Sequence, residues 1–150
     1  MRAVIQRVDS AKVSIEERTV SVIDKGLLVL LGIEKGDEKN DADYLLDKII
    51  NLRIFEDKSD KMNYSLLDIA GEMLVVSQFT LLGDCQKGRR PSFSRAENPK
   101  EARNLYEYFI SQGEKKMKRI YGGVFQAMMK ISLVNDGPVT ILLDSRKILL

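Results

Sequence analysis

Histidine is absent from this chain of 150 residues, and its absence removes several kinds of catalytic site. Without an imidazole there is no Ser-His-Asp triad, no Cys-His pair and no general base with an ordinary pKa near neutrality. Common zinc sites also lose their imidazole ligands, and one cysteine cannot replace them, so we expect no metal and no cofactor. Any catalysis must therefore use backbone groups, hydroxyls, carboxylates, Lys or Arg side chains, or the substrate itself.

Cysteines and long hydrophobic runs are also scarce. Cys85 is the only cysteine, so no intrachain disulfide can form, which suits a reducing compartment. The most apolar runs, at 26–33 and 73–82, are far too short to span a bilayer. The N-terminal residues lack the apolar stretch of a signal peptide. We therefore expect a soluble cytoplasmic protein that does not act at a membrane.

The residues that are present suit one globular domain covering residues 1–150. Hydrophobic residues make up 44% of the chain, which is enough for a core and argues against disorder. The formal net charge is +2 and the sequence pI is about 8.6. This mildly basic balance permits contact with a polyanion without requiring it.

Hydrophobic patterning predicts more strands than helices. The run at 27–33 is continuously apolar and bounded by glycines, which is typical of a strand buried on both faces. Residues 16–19 read as a hairpin tip between two strands. The predicted strands cover residues 2–15, 20–24, 27–33, 72–82, 124–134 and 139–145.

Two segments change to a helical period. The first carries Leu45, Ile49 and Leu52 on one stripe, and Asn40 or Asp41 can cap its start. The second enters at Asn98-Pro99 and runs through Met117 and Ile120 to Gly122-Gly123. Because strands mostly follow one another directly, the pattern predicts an α+β fold. We expect mainly antiparallel, barrel-like β-sheets with two sizeable helices in a single domain.

Gly137-Pro138 interrupts an apolar segment near the C-terminus. Proline removes a ladder donor and is normally kept out of strand interiors. One interpretation is a tight connection between two strands. The other is a cis peptide that holds backbone carbonyls in a fixed direction, an isomer that proline makes accessible.

Polar residues appear where the apolar run at 72–82 ends, namely Ser77, Gln78 and Thr80. Their hydroxyls have no obvious activator in a chain without histidine. Consecutive N–H groups at a strand end could instead form an oxyanion hole. The alternative is an ordinary strand end whose polar groups are satisfied locally.

Basic residues cluster at 86–91 and 114–121. Together the two clusters could cradle a phosphate backbone, although short charge runs are more often solvated surface. Phe79, Phe93 and Phe125 could stack on a base or fill the core. The first cluster also directly follows Cys85, but no base accompanies this thiol.

Four segments in order resemble the D-aminoacyl-tRNA deacylases: LVVSQFTL (74–81), KGRRPSFS (87–94), VFQAMM (124–129) and LVNDGPVT (133–140). The opening MRAVIQRV is similar too, so the resemblance covers essentially the whole chain. One departure is Gln126, because the family pattern favours glycine at this position. This substitution affects the expected shape of the pocket.

The resemblance implies a homodimeric editing enzyme that hydrolyses the ester joining a D-amino acid to the 3′ adenosine of tRNA. Gly137-Pro138 would match a Gly-cisPro motif inserted from one subunit into the active site of the other. Arg7 looks like the residue that fixes its orientation. A rigid carbonyl wall excludes an L side chain by sterics, but glycine has no side chain to exclude, so Gly-tRNA should also be cleared.

The resemblance also assigns the pocket. It implies that the residues lining the catalytic pocket are Ser77, Gln78, Phe79 and Thr80, and that those holding the terminal adenine are Phe125 and Met129. The substrate's own 2′-OH would assist, so that no side-chain nucleophile or cofactor is needed. Thr80 as a direct nucleophile remains a rival interpretation.

Two other classes of function stay open. A non-catalytic tRNA-binding module would use the two basic clusters and bind tRNA without turnover. A hydrolase of small esters or amides would act on free substrates without the tRNA.

Overall fold

The computed structural model describes residues 1–147, and within them the chain forms eight strands, two α-helices and one 3₁₀-helix. In chain order these are β1 (Arg2–Ile15), β2 (Arg18–Ile23), β3 (Gly26–Gly32), α1 (Lys39–Asn51), β4 (Phe55–Glu56), β5 (Met62–Tyr64), β6 (Glu72–Ser77), the 3₁₀-helix (Phe79–Leu82), α2 (Pro99–Lys116), β7 (Ile120–Gly122) and β8 (Lys130–Asp144). The predicted α+β class is confirmed, whereas the predicted domain end at residue 150 lies outside the described residues. Within residues 1–147, neither helix has the length and apolar character needed to cross a membrane.

β1 is the central strand of the larger sheet because it pairs along both of its edges. β8 runs antiparallel along one edge, and β3 followed by β2 runs antiparallel along the other. β6 pairs parallel with β3, and β7 pairs parallel with β6, so the sheet is mixed rather than purely antiparallel. β2 and β7 meet through a side chain, since the Ser21 hydroxyl donates to the Gly122 carbonyl at 2.7 Å. The sheet is thereby curled into a nearly closed barrel.

β3 shows no hydrophobic alternation because both of its faces are buried. Leu27, Val29 and Leu31 belong to a core cluster that includes residues of α1 and α2. Leu28 belongs to a second cluster, formed with residues of β1, β2 and β6. The prediction of a strand buried on both faces is confirmed.

α1 begins slightly earlier than the sequence predicts. Its N-cap is Glu38, so the assignment of Asn40 or Asp41 as the cap is wrong. Asp41 lies three residues inside the cap, and its carboxylate accepts a hydrogen bond from the Glu38 N–H at 2.8 Å. The Asp41 N–H in turn donates to the Glu38 backbone carbonyl at 3.0 Å, so the two residues are joined in both directions.

The start of α2 is predicted correctly and its end is not. The Asn98 side chain accepts a hydrogen bond from the Glu101 N–H at 3.1 Å, as expected of an N-cap before proline. The helix ends at Lys116, so the prediction that it continues to Gly122-Gly123 is wrong. The chain turns back because the edge of β6 offers backbone partners, and Ile120 pairs there with Met73.

Three other predicted boundaries differ. Residues 79–82 form a 3₁₀-helix instead of extending β6, and residues 124–129 form a turn instead of starting β8. β8 then runs continuously from residue 130 to residue 144, so Gly137-Pro138 is not a connection between two strands. It lies within one strand, at a break in its pairing with β1.

Candidate functional site

A cavity of about 580 Å³ opens where the parallel strands β3 and β6 end. Its polar lining residues are Ser77, Gln78, Glu97 and Gln126, and every other lining residue is apolar. The volume lies within the usual range for small-molecule sites, which combine apolar walls with a few placed polar groups. The cavity is therefore a candidate binding site for one end of a substrate.

One wall of the cavity is the end of β6. The Gln78 N–H donates to the Leu31 carbonyl at 2.8 Å, so it is engaged by the sheet. Phe79 and Thr80 follow as the first residues of the 3₁₀-helix, whose first N–H groups have no acceptor inside that helix. These two N–H groups can donate to a negative charge that develops beside the strand end.

Thr80 is exposed and does not line the cavity. Its hydroxyl oxygen accepts a hydrogen bond from the side-chain amide of Gln78. An amide N–H donates a hydrogen bond and removes no proton, so this contact does not activate the hydroxyl as a nucleophile.

The opposite wall is the turn at residues 124–129. The Phe125 ring contacts the Tyr106 ring, at 5.8 Å between centroids, and the Arg103 guanidinium, which lies 5.1 Å from its centroid. The Tyr106 hydroxyl donates to the Val75 carbonyl at 2.8 Å, and burial raises the pKa of Tyr106 to about 12. Phe125 is therefore held by two side chains of α2 where it lines the cavity.

The same turn contributes Gln126, Met128 and Met129 to the cavity lining. Gln126 has a φ of 63°, a left-handed conformation that favours glycine. This conformation explains physically why a glycine would suit this position. Met128 is 93% exposed and lies at the mouth.

A second structure, the β8 bulge (residues 136–139), lies elsewhere on the molecule. Gln6 pairs with Thr140 and Val8 pairs with Asn135, so the single residue Arg7 of β1 faces four residues of β8. The Gly137-Pro138 peptide bond within the bulge is cis, and both residues are exposed.

Arg7 holds the bulge from beneath. It is only 3% exposed, and its Nε donates to the backbone carbonyl of Asp136 at 3.1 Å and lies 3.1 Å from the carboxylate of the same residue. Its Nη1 donates to the Ile54 carbonyl at 2.7 Å, and its Nη2 lies 3.6 Å from the Glu56 carboxylate. Gly137 has a φ of 126°, and a Cβ there would lie 3.1 Å from Nη2 of Arg7. Glycine is therefore required by both backbone conformation and space.

The cavity and the β8 bulge are separate within one chain. Arg7 pairs with Leu27 on β3, whereas the cavity is lined by Leu31 of the same strand. Four residues of strand correspond to about 13 Å. None of the residues that line the cavity belongs to the bulge.

The structure thus brings together some of the site residues that the sequence predicts. Five of its members line one cavity: Ser77, Gln78, Phe79, Phe125 and Met129. Sequence reasoning missed Arg103 and Tyr106, whose spacing of three residues on α2 could have shown that they share a helix face. Among residues 1–147, no three His, Cys, Asp or Glu side chains are grouped so that they could hold a metal ion.

The sequence matches known proteins along nearly its whole length. A family model for D-Tyr-tRNA(Tyr) deacylase matches residues 4–144. A protein of Syntrophus aciditrophicus (strain SB) named D-aminoacyl-tRNA deacylase is 65% identical over 148 residues, which cover 99% of each chain. A protein of the same name from Clostridioides difficile (strain 630) is 60% identical, covering 98% of this chain and 99% of its own.

The fold also matches a solved structure. A protein named c-Myc DNA unwinding element binding protein superposes with a TM-score of 0.92 at 41% sequence identity. The match covers 96% of this chain and 98% of that one.

Proposed function

Because the chain belongs to the D-Tyr-tRNA(Tyr) deacylase family, we propose that it hydrolyses the ester joining a D-amino acid to the 3′ adenosine of tRNA. The products are the free D-amino acid and tRNA. Because the substrate is an aminoacyl-tRNA, we propose that the protein acts in the cytoplasm.

One observation carries this proposal: a single cavity combines a supported aromatic wall with a polar strand end. Phe125 and Met129 offer an apolar surface on which the adenine of the terminal adenosine can stack. The ester would then lie beside Ser77 and Gln78. Its carbonyl oxygen would accept from the Phe79 N–H and from the N–H of Thr80, which follows just outside the cavity lining. Adenosine and ester together match the two chemically different walls.

The chemistry requires little from the protein because an aminoacyl ester is already activated. A positioned water and stabilisation of the oxyanion are sufficient, and the substrate's 2′-OH can assist the attack. Thr80 contributes its backbone N–H rather than its hydroxyl, since the hydroxyl contacts only an amide donor. A reaction built in this way is compatible with a chain that has no histidine.

Within residues 1–147, the cavity of one chain contains no group that would distinguish a D-amino acid from an L-amino acid. We assign chiral selection to Gly137 and Pro138 of a second subunit, whose exposed bulge would enter the cavity and leave no room for an L side chain. Burial of Arg7 and its four contacts support this role, because they hold the bulge rigid from behind. The site would then be complete only in a homodimer.

A second candidate function is nucleic-acid binding without turnover. The solved structure at 41% identity is named for binding DNA, and this chain carries exposed basic residues beside the cavity. This candidate predicts salt-sensitive binding of tRNA with no release of amino acid.

The test compares D-Tyr-tRNA, L-Tyr-tRNA and Gly-tRNA in parallel, with purified protein and EDTA. We expect rapid loss of the D ester and sparing of the L ester. Gly-tRNA should be hydrolysed at least about 100-fold faster than L-Tyr-tRNA, because exclusion of a side chain does not act on glycine. Binding of tRNA with no loss of any ester would instead favour the second candidate. Failure to cleave Gly-tRNA at protein concentrations that cleave D-Tyr-tRNA would contradict steric exclusion as the sole filter.

A further inference from the structure

The loop between Asp84 and Ser92 stands beside the cavity. Its entering leg follows the 3₁₀-helix, and Phe79 at the start of that helix lines the cavity. Its returning leg leads to Ala96, which also lines the cavity. The two legs are joined at the base by a pair of hydrogen bonds between Asp84 and Ser92, of 2.8 and 2.9 Å. The loop therefore projects from the rim of the candidate site.

Contacts near the base fix the direction in which the loop projects. The rings of Phe79 and Phe93 meet edge to face, at 5.0 Å between centroids and an angle of 72°. The Asp84 carboxylate accepts a hydrogen bond from the Gln86 N–H at 2.9 Å, which shapes the first turn. Gly88 has a φ of 72°, and a Cβ there would meet no atom within 4 Å, so the tip of the loop is open on that side.

The tip of the loop is cationic, and its positive charges form no ion pair within residues 1–147. Residues 84–92 contain Lys87, Arg89 and Arg90 against Asp84, which gives 3 − 1 = +2. All three cations are exposed, and the ion pairs within residues 1–147 include none of them. Arg95 differs, because its guanidinium lies 2.5 Å from the buried Glu34 carboxylate. The tip thus presents cations that are available to an external anion.

The other basic cluster, at residues 114–121, lies too far from the cavity to share this role. It lies at the C-terminal end of α2, whereas Pro99 at the N-terminal end lines the cavity. The 18 residues of α2 correspond to about 27 Å along the helix axis. Lys116 also lies 3.6 Å from the Asp47 carboxylate and Arg119 lies 3.0 Å from that of Glu72, so two of its charges are partly neutralised. Of the two clusters that together could cradle a phosphate backbone, only the one in the loop is therefore placed to contact phosphates beside the cavity.

We propose that Lys87, Arg89 and Arg90 bind the phosphates of the nucleotides that precede the terminal adenosine of the bound tRNA. This proposal rests on the proposed function, because the terminal adenosine must occupy the cavity. Seven residues lie between Asp84 and Ser92, so the tip extends at most about 12 Å from its base. That reach covers the last few nucleotides of the acceptor end and not the body of the tRNA.

The test is a triple variant, Lys87→Gln, Arg89→Gln and Arg90→Gln. We expect KM for D-Tyr-tRNA to rise about 10- to 100-fold at 0.1 M salt, with kcat unchanged. The slope of log KM against log salt should fall by about 2, since each single-strand phosphate contact contributes about 0.7. Hydrolysis of the D-tyrosyl ester of adenosine, which carries no phosphate, should not change.

The matched control carries the same change in charge at the far cluster, with Lys115→Gln, Lys116→Gln and Lys118→Gln. Its KM and salt slope should stay close to those of the unmodified protein. An equal effect in the control, or an unchanged KM in the loop variant, would overturn the proposal. Loss of activity of the loop variant on the adenosine ester would also overturn the proposal, because the loop would then act on the cavity itself. A change in the oligomeric state of the loop variant, measured by sedimentation, would overturn it too. Failure of the unmodified protein to hydrolyse D-Tyr-tRNA would instead refute the proposed function.

Discussion

The cavity at the end of β6 and the β8 bulge differ in what holds them in place. Behind the cavity, Val75 and Val76 are buried in the two core clusters, and Phe125 is supported by α2. The bulge has less packing, because Gly137 and Pro138 are exposed and only Val139 of this segment packs against the core among residues 136–139. Arg7 donates to the Asp136 carbonyl, and the Asn135 side chain accepts a hydrogen bond from the Val139 N–H at 2.8 Å. Shape in the cavity thus comes from packing of many side chains, whereas shape in the bulge comes mainly from a few directed hydrogen bonds. The two regions should therefore respond differently to substitution.

The largest expected effect is at the bulge itself. In Gly137→Ala the new Cβ would lie 2.8 Å from Cγ2 of Val139 and 3.1 Å from Nη2 of Arg7, at a φ of 126°. The segment must shift, and a displacement near 1 Å in a positioning element can cost about 100-fold in rate. We expect deacylation of D-Tyr-tRNA to fall by at least about that factor.

A matched control for this variant is Gly36→Ala. Gly36 also has a positive φ, of 78°, but its Cβ would meet only the end of the Arg146 side chain at 3.6 Å. Both variants should lose stability in thermal unfolding, and only Gly137→Ala should lose activity. Equal activity in the two would show that the bulge plays no part in the reaction.

The next largest effect is expected at Arg7. Lysine keeps the charge in Arg7→Lys but cannot reproduce hydrogen bonds to both Asp136 and Ile54. We expect the free energy of unfolding to fall by about 2 kcal/mol, and deacylation to fall about 30-fold because the bulge loses its support.

Arg2 offers a control on the same strand. It also joins β1 to β8, through an ion pair of 3.2 Å with Asp144, and it donates to the Leu81 carbonyl. In Arg2→Lys we expect a comparable loss of stability in urea unfolding, with deacylation within about threefold of normal. Parallel losses of activity in the two variants would mean that Arg7 acts through general stability.

A smaller effect is expected at Thr80, on the cavity side of the comparison. Thr80→Val removes the hydroxyl that accepts the Gln78 hydrogen bond but keeps the backbone N–H. Loss of one such bond corresponds to about 1 kcal/mol, so kcat should fall about fivefold. A loss of several orders of magnitude, or isolation of an acylated protein, would restore Thr80 as the nucleophile.

The smallest effect is expected in the turn that forms the other cavity wall. Gln126→Gly relieves a left-handed conformation at a φ of 63°. We expect the free energy of unfolding to rise by about 0.5–1 kcal/mol in chemical denaturation, with D-Tyr-tRNA deacylation largely preserved. A lower stability would show that contacts of the Gln126 side chain outweigh its backbone conformation.

The sequence was most informative where one local signal dominated. The apolar run of β3 predicted burial on both faces, and Asn98-Pro99 predicted the start of α2. Prediction failed where tertiary contacts outweighed local pattern. Met117 and Ile120 continue a helical spacing, yet the chain leaves the helix because the edge of β6 provides partners for Ile120.

The candidate site was predictable only in part for a similar reason. The polar residues after β6 marked one wall, but the partner wall around Phe125 came from the family resemblance, since nothing local indicates a turn that faces a distant strand. Arg7 did leave a local trace, because it interrupts the alternation of β1 at the position where β8 bulges. Its role depends on four contacts in segments that are remote in sequence.

In the proposed homodimer, one subunit supplies the cavity and the other supplies the bulge. The most direct test is a heterodimer, purified through two different tags, of a Phe125→Ala chain and a Gly137→Ala chain. Each homodimer should be nearly inactive on D-Tyr-tRNA. The heterodimer contains one site with an intact cavity and an intact bulge, and one site with neither, so we predict half of the normal activity per dimer. A heterodimer no more active than the two homodimers would contradict a site shared between subunits.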